Sequence, residues 1–461
     1  MDEIALERVH LVGIGGAGMS GLARILLARG CQVSGSDAKE SRVIAALVAL
    51  GARVSIGHDA ANVRDAQVVV TSTAIRPDNV EVVAARESGV LVVPRAAMLA
   101  VLMADSQGIA IAGTHGKTTT TSMVTVALQH CGLDPSFAIG GDLNDAGSNA
   151  HHGTGTYFVA EADESDGSFL LLRPLIAVVT NVEADHLDHH GTPEAVYQAF
   201  DDFVSHIDPA GFLVTCADDP RSMQLATRAR AEGRLVVTYG TDPAADLVIA
   251  DLELTADGAA FAPIHRGRRL ERLQLKVRGI HNARNAAAAL LVGLDLGLPF
   301  AELATGLSQF TGARRRFEIK GEAGGVTVVD DYAHHPTEIS ATLAAARQVA
   351  RDGRVIAVFQ PHLYSRTKFF ATELGEALGL ADAVVVMDVY GAREEPVPGV
   401  NGALVATAVP LAADAVKYEP SWSSVAAAVA SMAEPGDLVL TMGAGDVTQI
   451  GPEILRELGL G

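Results

Sequence analysis

The sequence predicts an α/β protein of about three domains, and three observations carry that reading. The chain has 461 residues, too many for one hydrophobic core when a domain usually holds ~100–200. Short apolar, strand-like runs alternate with longer Ala/Leu-rich helical patterns, the order expected of parallel sheets with crossover helices. Two strand-to-helix junctions are glycine-rich, around Gly15 and around Gly116, and such a turn brings backbone N–H groups and the helix dipole to an anion.

The first block, 1–105, opens with a strand at 9–13 and a helix at 18–29. Strands follow at 32–36, 53–56, 68–71 and 91–93, then a helix at 96–104 and the polar break Asp105-Ser106-Gln107. The second block, 106–312, opens with a strand at 108–112, a glycine loop and a helical pattern from about Ser122. Its other informative strands are 157–160 and 176–180, and it closes near Thr311-Gly312. The third block, 313–461, repeats strand and helix: strands at 326–329, 355–359, 384–387 and 438–442, helices at 336–350 and 368–379. The outer blocks read as Rossmann-like domains and the middle one as a P-loop ATPase-like parallel sheet. There is no short-period repeat and no low-complexity tail.

A net charge of −20 argues against a nucleic-acid or anionic-membrane partner, so anionic ligands must be held by local lysines, arginines and helix ends. Cys31, Cys131 and Cys216 are far apart and odd in number, which suggests neither a disulfide framework nor a metal cluster; they read as small apolar residues. Arg95 and Asp105 interrupt the best apolar run, so no membrane span is expected. The start of the chain is acidic and runs straight into a strand; no signal peptide and a cytoplasmic location are expected.

Gly13-Ile14-Gly15-Gly16-Ala17-Gly18 follows the first strand, and Asp37 ends the second. This is the dinucleotide fingerprint, with Asp37 placed for a ribose, and alone it reads as NAD or FAD. Met19-Ser20-Gly21 and the second glycine loop tilt the reading toward a nucleotide-sugar diphosphate.

That second loop, Gly113-Thr114-His115-Gly116-Lys117-Thr118-Thr119-Thr120-Thr121, has the parts of a triphosphate cradle. Lys117 reaches the outer phosphates and the Thr118 hydroxyl suits Mg²⁺. It is a shorter variant of the common P-loop, with Ile111 where another glycine would stand. Two strands end in acidic runs, Glu161-Ala162-Asp163-Glu164-Ser165-Asp166 and Asn181-Val182-Glu183-Ala184-Asp185-His186. Ligands gather at carboxyl ends of parallel strands, so Glu161 is the preferred Mg²⁺ ligand. Acidic runs are more often solvated loops, which is the reading for Asp163, Glu164 and Asp166. Zinc at His186, His189 and His190 is disfavoured for want of a tetrahedral ligand set. Asn282 and Asn285, three apart at a helix start near 286, suit an adenine edge; a helix cap would explain Asn282 but not Asn285.

In order, Gly13-Ile14-Gly15-Gly16-Ala17-Gly18-Met19-Ser20-Gly21, Gly113-Thr114-His115-Gly116-Lys117-Thr118-Thr119-Thr120, Glu161-Ala162-Asp163-Glu164-Ser165, His281-Asn282-Ala283-Arg284-Asn285 and Asp330-Asp331-Tyr332-Ala333-His334-His335-Pro336 resemble the motifs of the Mur ligase family. The resemblance spans essentially the whole chain. It implies an ATP-dependent, ADP-forming ligase with Mg²⁺. Within the family the pattern resembles most the member that adds L-alanine to UDP-N-acetylmuramate, because the other amino-acid-adding members usually carry Asn where His115 stands. The member that reattaches a recycled tripeptide is the competitor; it shares His334-His335-Pro336 but is less similar at Met19-Ser20-Gly21 and Glu164-Ser165-Asp166. An NAD-dependent oxidoreductase and a regulatory ATP-binding module are the alternatives from other classes.

The resemblance also implies roles. Lys117 stabilises the transferred phosphate, with Gly113, Thr114, His115, Gly116, Thr118 and Thr119 around it. Thr118, Glu161 and His186 hold Mg²⁺, Asn282 and Asn285 meet adenine, and Arg316 reaches the nucleotide from the third block. Asp331, rather than Asp330, is the carboxylate off that block's first strand. Tyr332, His334, His335 and Arg366 gather the amino acid and the reacting carboxylate. Gly15, Gly16, Gly18, Ser20, Asp37, His58 and Ser72 take UDP. Relatives often carry Arg after the Gln360-Pro361-His362 triplet, where this chain has Leu363, so Arg366 or Lys368 would carry more of that anion contact. A monomer or weak homodimer is expected, with the third block closing on the others during turnover.

Overall fold

The computed structural model describes residues 6–141, 148–392 and 394–459, and the chain forms two compact units. One comprises Met1–Ala250, Pro263–Glu271 and Arg284–Gln309; the other comprises Asp251–Ala262, Arg272–Ala283 and Phe310–Gly461.

In the first unit, β1 (Arg8–Val12), β2 (Gln32–Asp37), β3 (Arg53–Ile56), β4 (Val68–Thr71) and β5 (Leu91–Pro94) form a wholly parallel sheet in the order β3-β2-β1-β4-β5. That is the order of a mononucleotide-binding half, in which ligands gather outside the carboxyl ends of the strands. β1 and β4 are apolar without alternation because both faces of a parallel sheet are covered; Leu11, Val12, Val69 and Val70 are fully buried. The helix Ala17–Ala28 turns Met19, Leu22, Ala23, Ile25 and Leu26 inward at helical spacing.

The same unit holds β6 (Gln107–Ala112), β7 (Ser136–Ala138), β8 (Ala150–His151), β9 (Tyr157–Glu161), β10 (Ile176–Val179), β11 (Phe212–Cys216) and β12 (Leu235–Gly240), in the order β12-β11-β10-β6-β9-β7-β8. All of these pairs are parallel except β7 with β8. Ala112 of β6 lies opposite Val179 of β10, and Ile111 opposite Glu161 of β9. The chain therefore leaves three neighbouring strands at one edge, through Gly113, Ala162 and Thr180. β13 (Leu247–Thr255), β14 (Gly258–His265), β15 (Arg268–Arg269) and β16 (Leu273–Leu275) follow, with β14 antiparallel to β15 and β16.

The second unit is built on β17 (Glu318–Ala323), β18 (Val326–Asp331), β19 (Val355–Phe359), β20 (Ala383–Val386), β21 (Val416–Tyr418) and β22 (Leu438–Met442), in the order β17-β18-β22-β19-β20-β21. Neighbours in β18 face opposite ways: Val329 packs with Leu343, Phe359 and Leu440, while Val328 packs with Ile356, Val385 and Ile454. Apolar layers on both faces make it a doubly wound sheet, with the last strand inserted between β18 and β19.

The structure departs from the sequence reading at several edges. β8, β14 to β16 and β17 bring antiparallel pairs into sheets expected to be parallel, a pattern common at sheet margins. Helices begin earlier than expected, at Lys117, Ile280 and Tyr364. Cys216 is buried as expected, but Cys31 and Cys131 are half-exposed; all are free thiols. No helix among the described residues is long and apolar enough to cross a membrane.

Beneath the first sheet's carboxyl edge lies a carboxylate the sequence did not single out. Glu81 is fully buried, and its oxygens accept from Ser36 Oγ at 2.5 Å, Asn62 Nδ2 at 2.6 Å and the Asp59 N–H at 3.3 Å. Burial alone would raise its carboxyl, but the His10 imidazole 3.7 Å away and hydrogen bonds from Ser36 and Asn62 outweigh burial and hold it at about 2, below the ordinary 4.5. A depressed carboxyl contributes stability that is present above pH 4.5 and is lost as pH falls toward 2. Glu81→Ala is therefore expected to unfold at lower denaturant, by about 3 kcal/mol at neutral pH, for the buried partners left unpaired. The gap to the parent chain should shrink as pH falls from 5 toward 2; a gap constant with pH would contradict the charged network.

Candidate active site

The second glycine loop links the end of β6 to the helix Lys117–His130. Gly116 caps that helix at φ +83°, a left-handed conformation that favours glycine. A methyl group added there would also lie 2.8 Å from Asn285 Oδ1, so the position has no room for a side chain. The loop is pinned to the residues after β10: the Thr114 N–H donates to Asn181 O (3.1 Å), the His115 N–H to Asn181 Oδ1 (2.9 Å), and Thr180 Oγ1 to His115 O (2.6 Å). Thr114 Oγ1 accepts from the Glu183 N–H at 2.8 Å. These bonds preorganise the loop, a requirement for charge stabilisation without reorganisation during reaction.

Lys117 Nζ donates to Gly113 O (2.8 Å), Thr114 O (3.2 Å) and Glu164 Oε1 (2.8 Å). Burial opposes its charge, but Glu164, Asp163 and Glu161 outweigh burial and hold the ammonium above its ordinary value. Burial in turn lifts Glu164 to about 7, against the pull of Lys117. Glu164 is only 2% exposed, so the solvated-loop expectation fails for it: its side chain is buried where its neighbours Asp163 and Asp166 are partly exposed, and the lysine supplies its partner. Asp163 faces Arg95 at 3.8 Å. Asp166 caps a local turn, accepting from the Ser168 N–H at 3.0 Å.

Thr118 Oγ1 donates to Glu161 Oε1 at 3.1 Å, and Glu161 Oε2 accepts from the Gly140 N–H at 2.7 Å. A hydroxyl oxygen and a carboxylate oxygen side by side at a phosphate loop are the donor set a hard cation takes. His186 stands in left-handed conformation, φ +54°, with Nε2 3.7 Å from Glu164 Oε1 and 3.6 Å from Asp185 Oδ2. Thr119 is buried in the first helical turn. Asn285 lies against the loop, and Asn282, on the same helix, donates Nδ2 to Arg278 O at 2.8 Å. The helix starts at Ile280, so Asn282 is not its cap.

At the first glycine loop, Asp37 Oδ2 accepts from the Gly15 N–H at 2.9 Å, and the Gly16 N–H bonds Gly13 O at 3.1 Å. The Ser20 hydroxyl is buried and donates to Ala17 O at 3.0 Å. His58 Nδ1 lies 3.0 Å from Ser36 Oγ and 3.2 Å from Glu81 Oε2. Ser72 follows β4, its carbonyl taking the Ile75 N–H at 3.0 Å. Gly15, Gly16 and Gly18 thus lie along one loop-to-helix turn that Asp37, at the end of β2, holds through the Gly15 N–H, whereas Ser20 turns into its own helix.

In the second unit, Asp331 ends β18 and accepts from the Phe317 N–H (2.7 Å) and the Ala333 N–H (2.8 Å). Burial lifts its carboxyl to about 6, although Arg316 pulls it down. Asp330 is fully buried and bonded by Thr441, Thr448 and Arg315, a structural setting. Arg315 and Arg316 both lie over the Tyr332 ring, 4.9 and 5.2 Å from its centroid, and Arg316 reaches Glu338 at 4.0 Å. His334 stands edge-on to Tyr332, and its Nδ1 is 3.0 Å from Tyr332 O. His335 caps the helix Pro336–Ala350, accepting from the Thr337 N–H at 3.4 Å. Arg366 is buried on the helix Tyr364–Leu378, which follows Leu363 as N-cap residue with φ +67°. The Leu363 side chain is itself buried, so that position holds an apolar contact where relatives often carry a cation. Sequence reasoning missed Glu338, whose (i, i+4) spacing from His334 was a usable signal, and Arg95 and Glu81, for which the sequence held none.

Comparison with known proteins gives the family. Residues 8–107 match the profile described as Mur ligase family, catalytic domain; 111–293 match Mur ligase middle domain; 315–445 match Mur ligase, glutamate ligase domain. The UDP-N-acetylmuramate–L-alanine ligase of Saccharopolyspora erythraea is 60% identical, covering 98% of this chain and 94% of its own. The solved UDP-N-acetylmuramate-alanine ligase of Thermotoga maritima superposes with a TM-score of 0.81 at 28% identity, covering 97% of this chain and 98% of that one. A murein peptide ligase of Psychrobacter arcticus superposes at 0.71 and 26% identity over 98% of both chains. With the family's three domains matched in order along sheets of the expected class, the chain belongs to the Mur ligase family.

Proposed function

We propose that the chain joins L-alanine to the carboxylate of UDP-N-acetylmuramate, converting ATP to ADP and phosphate, in peptidoglycan precursor synthesis. The observation that carries this is the half-buried Lys117 ammonium at a preorganised glycine loop, beside the paired Thr118 and Glu161 oxygens, in a chain 60% identical to a ligase of that name. The lactyl carboxylate oxygen attacks the γ-phosphorus of ATP; the bond to the bridging oxygen breaks and ADP leaves. The amine of L-alanine then attacks the acyl carbon, phosphate departs, and the amide forms with loss of a proton.

Lys117 stabilises charge on the transferring phosphoryl group, with Gly113, Thr114, His115, Gly116 and Thr119 shaping the cradle. Thr118, Glu161 and His186 would hold Mg²⁺, which when bound neutralises phosphate charge. Asn282 and Asn285 read adenine. Arg316 contacts the nucleotide, and Asp331 sets its loop through the Phe317 N–H, one residue away. Tyr332, His334, His335 and Arg366 receive the amino acid and the reacting carboxylate. Gly15, Gly16, Gly18, Ser20, Asp37, His58 and Ser72 form the UDP pocket. We place domain boundaries at 1–105, 106–312 and 313–461, and the protein in the cytoplasm as a monomer or weak homodimer.

The test is substrate choice. Purified protein with ATP, Mg²⁺ and UDP-N-acetylmuramate is expected to form an amide with L-alanine and to ignore the preformed tripeptide. Ligation of tripeptide without L-alanine activity would assign the recycling reaction instead.

A further inference from the structure

Arg95 opens the helix Arg95–Met103 just past the carboxyl end of β5, and no role follows for it from the reading above. Its side chain lies across the first glycine loop. A methyl group added at Gly18 would sit 2.9 Å from both Arg95 Cδ and Nη1 and 3.2 Å from Nε. The last glycine of the fingerprint therefore leaves room for a guanidinium, where in a dinucleotide fold that glycine serves helix–strand packing. On its other side, Arg95 Nη2 is 3.8 Å from Asp163 Oδ2, beyond hydrogen-bond distance. Among the described residues no acceptor takes the Arg95 guanidinium, and its side chain is 27% exposed. Both groups line a cavity of about 60 Å³ with Gly18, Gly140 and Glu161.

A guanidinium held here, among the described residues, by one long ion pair and no hydrogen bond keeps its donors for an anion. Two carboxylates, Asp163 and Glu161, share the cavity, and the whole chain carries −20, so an entering diphosphate would meet repulsion without a local positive charge. A guanidinium offers five donors in a planar fork that matches phosphate oxygens. We propose that Arg95 binds the diphosphate of the nucleotide-sugar substrate, clamping it against the first glycine loop beside Gly18. The proposal deepens the function given above and rests on its reading that this loop takes UDP.

Equilibrium binding of UDP and of uridine, steady-state kinetics and thermal melting of the full chain test it together. Arg95→Ala should weaken UDP binding and raise KM for UDP-N-acetylmuramate by about 10- to 100-fold, the scale of a lost charged hydrogen bond. KM for ATP and the Tm should stay near the parent values, and uridine, which has no phosphate, should bind both chains equally. Arg95→Lys should recover part of the loss by restoring charge without the fork. Gly18→Ala should displace the guanidinium and raise KM similarly, and adding Arg95→Ala to it should cost little more. Unchanged UDP binding in Arg95→Ala overturns the proposal. So does a lowered Tm with KM for ATP and nucleotide sugar raised alike, which would make Arg95 a structural link to Asp163. If the parent chain binds no UDP at all, the reading of the glycine loop falls first and this one with it.

Discussion

Lys117→Ala should turn over at least ~100-fold more slowly than the parent chain, the scale for removing one preorganised charge from a transition state. The lysine is fixed by two loop carbonyls and Glu164 before any phosphate arrives, so its loss removes a positioned charge and not a mobile one. The structure adds a complication that a loop lysine would not suggest, because Glu164 is buried and Lys117 is its cation. Removing the lysine leaves a carboxylate that neutralises instead of ionising, since its carboxyl already sits at about 7 with the lysine present. Lys117→Ala combined with Glu164→Gln should therefore melt close to the parent temperature and remain as slow as the single variant. Near-normal turnover in either would take Lys117 out of the chemistry. A carboxyl raised above its ordinary 4.5 destabilises the fold as pH climbs toward 7, so Glu164→Gln alone should narrow the loss of stability between pH 5 and pH 8.

The second large effect is at Glu161. Glu161→Ala removes the acceptor for Thr118 Oγ1 and for the Gly140 N–H, and with it one of the oxygens proposed for Mg²⁺. The Mg²⁺ concentration for half-maximal activity should rise at least ~10-fold, with His186→Ala shifting it in the same direction. Thr118→Val, which keeps shape and loses the hydroxyl, should act like Glu161→Ala and combine with it less than additively, because the two side chains share one hydrogen bond. A Mg²⁺ titration unchanged in both single variants would leave Glu161 as a structural acceptor for the Gly140 loop.

What could be read from the sequence was the chemistry that lies close along the chain. Gly116 and Lys117 are neighbours, and the turn, the helix start and the cation need no distant partner. The first sheet was likewise legible, because strands buried on both faces read as unbroken apolar runs. Glu164 was not legible: an acidic run looks solvated until the fold buries this one side chain and a lysine from another strand's loop reaches it. Within Arg314-Arg315-Arg316 the sequence cannot separate roles, whereas the structure puts both Arg315 and Arg316 over Tyr332 but gives them different acidic partners, Arg315 with Asp330 and Arg316 with Glu338. β17 was missed because its edge position leaves it half-exposed, without an apolar stripe. Glu81 and Arg95 were missed because nothing next to either residue announces its partners.

The central claim is that the carboxylate is activated by phosphorylation before the amine attacks, and isotope transfer tests it directly. UDP-N-acetylmuramate carrying ¹⁸O in its lactyl carboxylate is incubated with the protein, ATP, Mg²⁺ and L-alanine, and the released phosphate is analysed by mass spectrometry. The account predicts that each phosphate released with an amide carries one oxygen from the carboxylate. Amide formation accompanied by phosphate free of that label would contradict it.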